Sequence, residues 1–399
     1  MATRADSPSR QAMNTRPLSP QHESVDEPLG KTNSRTNAID LSAPVDVQLL
    51  GPDSLSGYVE EKWSAIRNAN PVFKSPYFDI KFTKAVARVR NDVRIAIAQV
   101  GEEIVSILPF QENKPGHAVP VGGLLNDWHG MMGKQDPDIL QQIMKAADLR
   151  SFKFHAINAK EDSLKKYYFR EFDSHYLDLS CGWDEYRKWV HKNSSAVKRQ
   201  GQKTRALARN VGELRFEFES ESANQLERLI ELKRARYNNS NTFDILGVTW
   251  ASNLLRELHQ VRDPNFRGVL SILWAGDQLV GAHFGMLTDE TLHYWFPVYA
   301  PAFHKYSPGT EMLMQSAQHA CEIGIKKLDL GYGDDAYKYR FCNASEPVAF
   351  GMANFSPFSR VVAKYRYSFR NQLKQIPMKP LVKRILRKLY PRFGGWNFR

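Results

Sequence analysis

Two stretches of this chain are variants of one pattern. Residues 95–110, IAIAQVGEEIVSILPF, and residues 270–285, LSILWAGDQLVGAHFG, align without a gap at an offset of 175. Each reads as an apolar strand, a turn built from glycine, an acidic and a polar residue (Gly101-Glu102-Glu103 and Gly276-Asp277-Gln278), and a second apolar strand. That is the signature of a β-hairpin. Hairpins resemble one another, so the pair alone does not make a repeat. The surroundings extend the likeness: charged, helical sequence precedes both hairpins, and a helix and a short strand follow both. A chain of 399 residues is long enough for two units of ordinary size, each with its own core. The repeat therefore predicts two halves of mixed α and β structure.

The second half is the easier to read. Leu226, Leu229, Ile230 and Lys233 fall at helix spacing within residues 223–237. Strands follow at 269–275, 279–287 and 291–299, then a helix over about 308–323 with Gly324 as its stop, a strand at 326–330, and a closing strand at 348–355. In the first half the hairpin occupies 93–110, a loop runs to 135, a helix spans 136–149 and a strand spans 152–157. Residues 183–210 between the halves read as helical, carrying Lys192, Lys198, Arg199, Lys203, Arg205 and Arg209.

Several classes fall away on composition. No stretch reaches the roughly 18 consecutive apolar residues of a transmembrane helix. The first 40 or so residues are rich in Ser, Pro, Thr, Asn and Arg without an apolar segment, and read as a disordered leader instead of a signal peptide. Three scattered cysteines, Cys181, Cys321 and Cys342, do not make a disulfide framework and fit a reducing cytoplasm. No CxxC or HExxH motif occurs, so no metal is expected. Gly331-Tyr-Gly333-Asp-Asp-Ala336 has the outline of a dinucleotide loop, but no helix-forming sequence follows it and no acidic residue stands about 20 positions on. The chain also lacks GxxxxGK[ST] and GxSxG.

The segment HKYSPGTEMLMQSAQHACEIGIKKLDLGYGDDAYKYRF, from His304 to Phe341, resembles the tandem-GNAT, FemAB-like proteins. It is most similar to the CelD-like branch, acetyltransferases of cellulose and exopolysaccharide biosynthesis. The Ser-Pro-Gly-Thr helix start and the D-x-G-x-G…Y-K strand end carry the likeness, which spans about residues 45–355. Gly123 and Asn126-Asp127-Trp128 look like the N-terminal pattern of the same branch. The resemblance implies an α+β fold of two GNAT-like halves, each a mixed, mostly antiparallel sheet flanked by helices. It divides the chain into a leader (1–43), a first half (44–180), a second half with the acyl-CoA site (181–355) and a basic amphipathic tail (356–399). It implies acetyl-CoA or another acyl-CoA as co-substrate, and an amine or hydroxyl of a sugar or polysaccharide precursor as acceptor.

The residues themselves suit a donor site. Ser307 is a good N-cap residue, Pro308 a good first helical residue, and Gly309 and Thr310 complete a helix start whose free N–H groups favour a pyrophosphate. Lys305 adds a cation close by. The same motif also reads as a plain helix start.

Acyl transfer needs a group to take the acceptor proton and another to protonate the departing thiolate. Asp329, at the end of the strand after the donor helix, and Tyr337, where the resemblance places a tyrosine acid, are the candidates. His283 on a central strand is a third, and Lys338 is placed to hold an anionic acceptor group. Each has a plainer alternative: a turn-capping carboxylate, a packed aromatic ring, a hydrogen-bonded core imidazole and a solvated charge. Tyr294 and Trp295 are candidates for stacking on a sugar ring, or for packing. Asp127 and His129 in the first-half loop are candidates for the acceptor side.

The charge is concentrated at one end. Beyond Glu346 lie twelve Lys/Arg and no Asp or Glu, so the whole net charge of +12 belongs to the last 53 residues. Leu381, Val382, Ile385, Leu386 and Leu389 segregate from Lys383, Arg384, Arg387 and Lys388 as on an interfacial helix. The expectation is a cytoplasmic protein, peripheral at the inner face of the cytoplasmic membrane through this tail, with no nucleic-acid partner. Two rival functions remain open. One is a FemAB-like aminoacyl transferase using aminoacyl-tRNA. The other is a catalytically inactive GNAT-shaped subunit of a membrane-associated polysaccharide synthase complex, suggested by a donor loop with Tyr306-Ser307 where the family has a basic residue and more glycine.

Overall fold

The computed structural model describes residues 44–356 apart from 161, 241 and 334, together with 358, 361–365 and 367. The expected leader and the amphipathic segment 381–389 lie outside the described residues.

Apart from one short strand in the first half and one short helix in the second, each half runs through the same order of elements. The first comprises β1 (Val45–Leu50), α1 (Gly57–Ala69), α2 (Ile80–Val89), β2 (Val93–Val100), β3 (Glu103–Lys114), β4 (His117–Val119), the short β5 (Met132–Gly133), α3 (Pro137–Ala146), β6 (Ser151–Asn158) and β7 (Tyr168–Asp178). Two helices, α4 (Trp183–Asn193) and α5 (Ser195–Asn210), connect it to the second. There follow β8 (Leu214–Glu217), α6 (Ala223–Asn239), α7 (Thr249–Gln260), β9 (Phe266–Ala275), β10 (Gln278–Thr288), β11 (Thr291–Tyr299), α8 (Pro308–Glu322), β12 (Lys327–Tyr332), α9 (Lys338–Phe341) and β13 (Ala344–Asn354).

The hairpin repeat holds down to its irregularities. Gly101 and Gly276 both turn through the left-handed region, at φ +59° and +55°. In β2–β3 the register steps from Gln99↔Ile104 to Ala98↔Ser106, leaving Val105 as an extra residue. In β9–β10 it steps from Trp274↔Leu279 to Leu273↔Gly281, leaving Val280, at the same offset of 175. A shared bulge is a stronger sign of common architecture than shared hydrophobicity, because a bulge re-aims every residue beyond it. In both halves the strand after the hairpin then runs parallel to the strand after the next helix: β4 with β6, and β11 with β12.

All these strands join one sheet, in the order β1-β2-β3-β4-β6-β13-β7-β12-β11-β10-β9-β8, with β5 paired to β3 off that path. The halves exchange their last strands. β7 of the first half pairs with β12 of the second, and β13 of the second pairs with β6 of the first. The expectation that the final strand closes the sheet is therefore corrected: β13 lies in the middle, and β1 and β8 are the edges. Residues 183–210 are likewise two helices and not one, broken at Ser194, whose backbone leaves the helical region (φ −119°, ψ 109°).

The apolar faces divide into three cores. One draws on both halves, with Trp63, Phe82 and Ile97 from the first and Leu229, Leu258 and Phe284 from the second. The other two are local, around α8 (Met312, Leu313, Ala317, Leu328) and around α3 (Ile139, Ile143, Phe152, Phe154). No helix among the described residues is long and apolar enough to cross a membrane.

Candidate functional site

β11 and β12 share three residue pairs, Thr291↔Lys327, Leu292↔Leu328 and His293↔Asp329, and then part. Both strands bulge at that point. On β11 the register with β10 moves from Met286↔His293 to Phe284↔Phe296, and on β12 the register with β7 moves from Asp329↔Tyr176 to Tyr332↔Ser174. The result is a fork in the middle of the sheet, with His293 and Asp329 as its last rung. Bulges of this kind often stand beside active sites because they end pairing and turn side chains to a new direction.

Around that rung a buried polar cluster forms across the two halves. His293 Nδ1 lies 3.5 Å from Asp329 Oδ2, and its Nε2 lies 3.4 Å from Asp127 Oδ2 and 2.9 Å from the Tyr77 hydroxyl. The Tyr77 hydroxyl donates to the Leu125 carbonyl at 2.9 Å, which leaves its oxygen free to accept from the imidazole. Trp128 Nε1 donates to Asp329 Oδ2 at 2.8 Å, and the Gly331 N–H donates to its other oxygen at 2.9 Å.

Burial alone would drive the proton off His293, but the carboxylates of Asp127 and Asp329 outweigh it and raise the imidazole to about 9. Burial would raise Asp329, yet hydrogen bonding and charge from His293, with Lys327 and the Gly331 N–H, bring it down to about 2. At neutral pH the rung is an imidazolium against a carboxylate. His293 and Asp329 are sealed, their side chains 1% exposed, whereas Asp127 is 24% exposed and reaches outward.

The first-half loop that supplies Asp127 and Trp128 is held by its own polar contacts. Asn126 Nδ2 donates to the Val121 carbonyl and its Oδ1 accepts the Trp128 N–H, both at 2.8 Å. His155 Nε2 lies 2.6 Å from the Asn126 carbonyl oxygen, and the His155 N–H donates to His129 Nε2. His129 is buried, with its imidazole held well below its ordinary value by burial and by His155. Gly331 completes the join. It sits at φ +71°, and a β-carbon there would come within 2.4 Å of Asp127 Oδ2. Only glycine meets both demands.

α8 starts beyond the open edge of β11. Ser307 occupies the position before it, but in the left-handed region (φ 54°), and its side chain does not cap the helix. The expected cap is thus replaced by another contact: Ser307 Oγ accepts from Lys203 Nζ of α5 at 2.6 Å. Thr204 of α5 donates to Glu311 Oε2 at 2.6 Å, and Gln200 donates to the Tyr306 carbonyl, so α5 is tied to the start of α8 at three points. Lys305 lies 4.9 Å over the Tyr306 ring. Gly309 is open: a β-carbon would meet only Tyr299, at 3.6 Å. The Thr310 N–H is already bonded to the Ser307 carbonyl at 3.0 Å.

The other candidates scatter. His283 stacks on Tyr294 with ring centroids 3.9 Å apart, both buried and without hydrogen-bond partners among the described residues. Burial, with the charges of His293 and Lys233, keeps the His283 imidazole well below its ordinary value. Trp295 sits edge-on to Tyr77, 6.0 Å between centroids, at the margin of the cluster. Tyr337 is partly exposed, and its phenol is raised, by burial first and by Asp335 next. Lys338 is buried, and its ammonium donates to the Gly331 and Tyr332 carbonyls at 3.0 and 2.7 Å, bracing the end of β12.

Three members of the cluster, His293, Tyr77 and Trp128, and the cation at the helix start, Lys203, were not among the candidates read from sequence. His293 is indistinguishable there from His283, another strand histidine with aromatic neighbours. No group of His, Cys, Asp and Glu among the described residues is arranged to hold a metal ion.

Comparison with known proteins bears on this geometry. Residues 194–339 match the family model described as an acetyltransferase (GNAT) domain. No curated protein matches the chain. Among solved structures, FemX is 11% identical and aligns over 79% of this chain and 100% of its own, with a TM-score of 0.54. A tandem GNAT protein from the clavulanic acid biosynthesis pathway is 9% identical over 79% of this chain and 99% of its own, with a TM-score of 0.47. The chain thus has the GNAT fold, as a mixed sheet flanked by helices, and its match to the GNAT acetyltransferase domain model runs from the end of α4 into α9.

Proposed function

We propose that this protein is an acyl-CoA-dependent acyltransferase that acylates an amine or hydroxyl of a sugar or polysaccharide precursor. The observation that carries the reading is the fork: β11 and β12 part at the His293–Asp329 pair. Beyond the fork the β11 edge is unpaired toward β12, so its backbone groups are available to an extended ligand. The start of α8, with Lys203 at Ser307, suits a pyrophosphate at the far end of such a ligand.

In this reading the acceptor lone pair attacks the thioester carbonyl carbon, the carbon–sulfur bond breaks with its electron pair departing on the CoA thiolate, and the acceptor gives up one proton. Asp127 is the member of the cluster that reaches solvent, and it takes that proton. His293, anchored by Asp329, orients Asp127 from 3.4 Å. The tail beyond residue 356 attaches the enzyme to an anionic membrane surface, a reading supported by its uncompensated charge.

One observation favours a second reading, an aminoacyl transferase of the FemAB type. From 186 to 212 the chain has no acidic residue and eight Lys/Arg, a surface suited to RNA. Thermal-shift and calorimetric titration with acetyl-CoA, coenzyme A and a neutral control separates the two. The first reading expects saturable stabilisation by acetyl-CoA and CoA. Binding of aminoacyl-tRNA with no response to either would replace it by the second.

A further inference from the structure

α6 carries four cations, and they divide into two kinds. Arg228 pairs with Glu231 at 3.1 Å and Arg234 with Asp244 at 2.9 Å. Lys233 and Arg236 have no ion-pair partner among the described residues. They stand three residues apart, so they are neighbours on one side of the helix, where like charges work against each other. Burial, and then the charge of Arg236, bring the Lys233 ammonium down to about 7.

Both side chains reach the gap between β11 and β12. The Ala300 N–H donates to the Val280 carbonyl at 3.0 Å, so Val280 and Ala300 face each other as a hydrogen-bonded pair. Such pairs alternate in an antiparallel ladder, which makes His283↔Pro297, three residues in, a non-bonded pair. The Pro297 carbonyl therefore points away from β10, into the gap that β12 leaves once its pairing stops at His293. Lys233 Nζ donates to that carbonyl at 2.8 Å, with the Tyr237 and Phe296 rings beside it. Arg236 lies over the Tyr299 ring, 5.1 Å from its centroid. Beyond β12, the charges of Asp127 and Arg236 both act on the Tyr337 phenol, so the cations and the outward carboxylate face one opening.

Two adjacent cations at an open strand edge repel each other until an anion joins them. A carboxylate supplies one charge. A phosphate-type group supplies up to two, with several acceptor oxygens for the ammonium and the guanidinium together. We propose that Lys233 and Arg236 bind a phosphate-type dianion at the mouth of the fork, a site distinct from the start of α8. Anion binding there does not depend on acyl transfer. Whether the anion belongs to the acyl donor or to the acceptor does rest on that reading.

The protonation of Lys233 gives the site a signature. Around it, burial raises the Tyr237 phenol to about 12 and holds the His283 imidazole well below its ordinary value, and Arg236 stays charged. Lys233 is thus the group here that titrates near neutrality, and a dianion drawn to it at about pH 8 brings a proton onto it.

The test is calorimetry and phosphorus NMR on the full chain with inorganic pyrophosphate, at about 0.15 M salt to screen the basic tail. Saturable binding is expected, weakened about tenfold or more by Lys233→Met and by Arg236→Gln and unchanged by Arg228→Gln. Arg236 is exposed, so its variant keeps the fold should Lys233→Met lose it. Proton uptake at about pH 8, read in two buffers of different ionisation enthalpy, should be larger in the parent than in Lys233→Met. Absence of saturable binding, equal proton uptake in parent and Lys233→Met, or binding that responds to Lys203→Met and to neither α6 variant overturns the proposal. Coenzyme A and glucose 1-phosphate identify the source. Displacement of pyrophosphate by coenzyme A assigns the site to the donor. Binding of glucose 1-phosphate through Lys233 and Arg236 with coenzyme A saturating assigns it to the acceptor. Pyrophosphate binding without any response to acetyl-CoA would leave the site standing and remove the acyltransferase reading.

Discussion

Replacing His293 by Gln removes the charge at the centre of the cluster while keeping a polar side chain of similar reach. The imidazole moves from the ordinary 6.5 to about 9 on folding. That is about 2.5 decades in proton affinity, at about 1.36 kcal/mol each, or about 3 kcal/mol of stability. Because the folded value is the higher one, this contribution is complete below pH 6.5 and disappears as pH rises through about 9. The depressed Asp329 value reflects the same contact from the other partner, so the two are not added. Its loss lies at the acid end, as pH falls from 3.8 through about 2. Urea unfolding of parent and His293→Gln from about pH 5.5 to pH 10 reads the effect as a difference, which cancels the titration of groups elsewhere, Lys233 among them. The parent should lead by about 3 kcal/mol at pH 6, and the gap should close by pH 10 to the small difference in packing between the side chains. A gap that stays constant across that range would refute the reasoning, for it would mean that His293 binds its proton no more tightly folded than unfolded, and a gap that widens as pH rises through 6.5 would mean that it is neutral in the folded protein.

Three further outcomes follow from the same geometry. Asp127→Asn should lower turnover by about 10²–10⁴-fold with acetyl-CoA affinity retained, measured by thiol release and by calorimetry. Near-parental turnover would take Asp127 out of the chemistry. Gly331→Ala should lose activity and about 1–2 kcal/mol or more of stability, since the new β-carbon needs both a left-handed backbone and the space held by Asp127. Lys203→Met should weaken CoA binding more than Lys305→Met does, as Lys203 is the cation in contact with Ser307 at the start of α8.

Much of the architecture is legible in the chain because it is local. The glycine turns, the period-2 apolar runs and the offset of 175 locate the two hairpins, and Pro308 and Gly324 bracket α8 within a residue or two of where it lies. Asp329 and Asp127 were also singled out from sequence, each in its own half, as carboxylates beside a glycine turn and a loop. That they belong to one cluster was not legible. They stand 202 residues apart, and what joins them is the exchange of β7 and β13, which draws the halves into one sheet. β7 itself, YFREFDSHYLD, is too polar to announce a central strand. Its place is set by backbone pairing with β12 and β13 and not by its side chains.

The choice between His283 and His293 shows the same division. Both are buried histidines on adjacent strands, with aromatic neighbours in the sequence. The bulge past His293 and the arrival of Tyr77 and Asp127 from the first half, with Asp329 alongside, surround one imidazole with acceptors, and the other stacks on the face of Tyr294. Local sequence specifies strands, turns and helix starts through propensity and hydrophobic period, which act over a few residues. The protonation of a buried side chain depends on charges delivered by distant segments, and that only the tertiary structure decides.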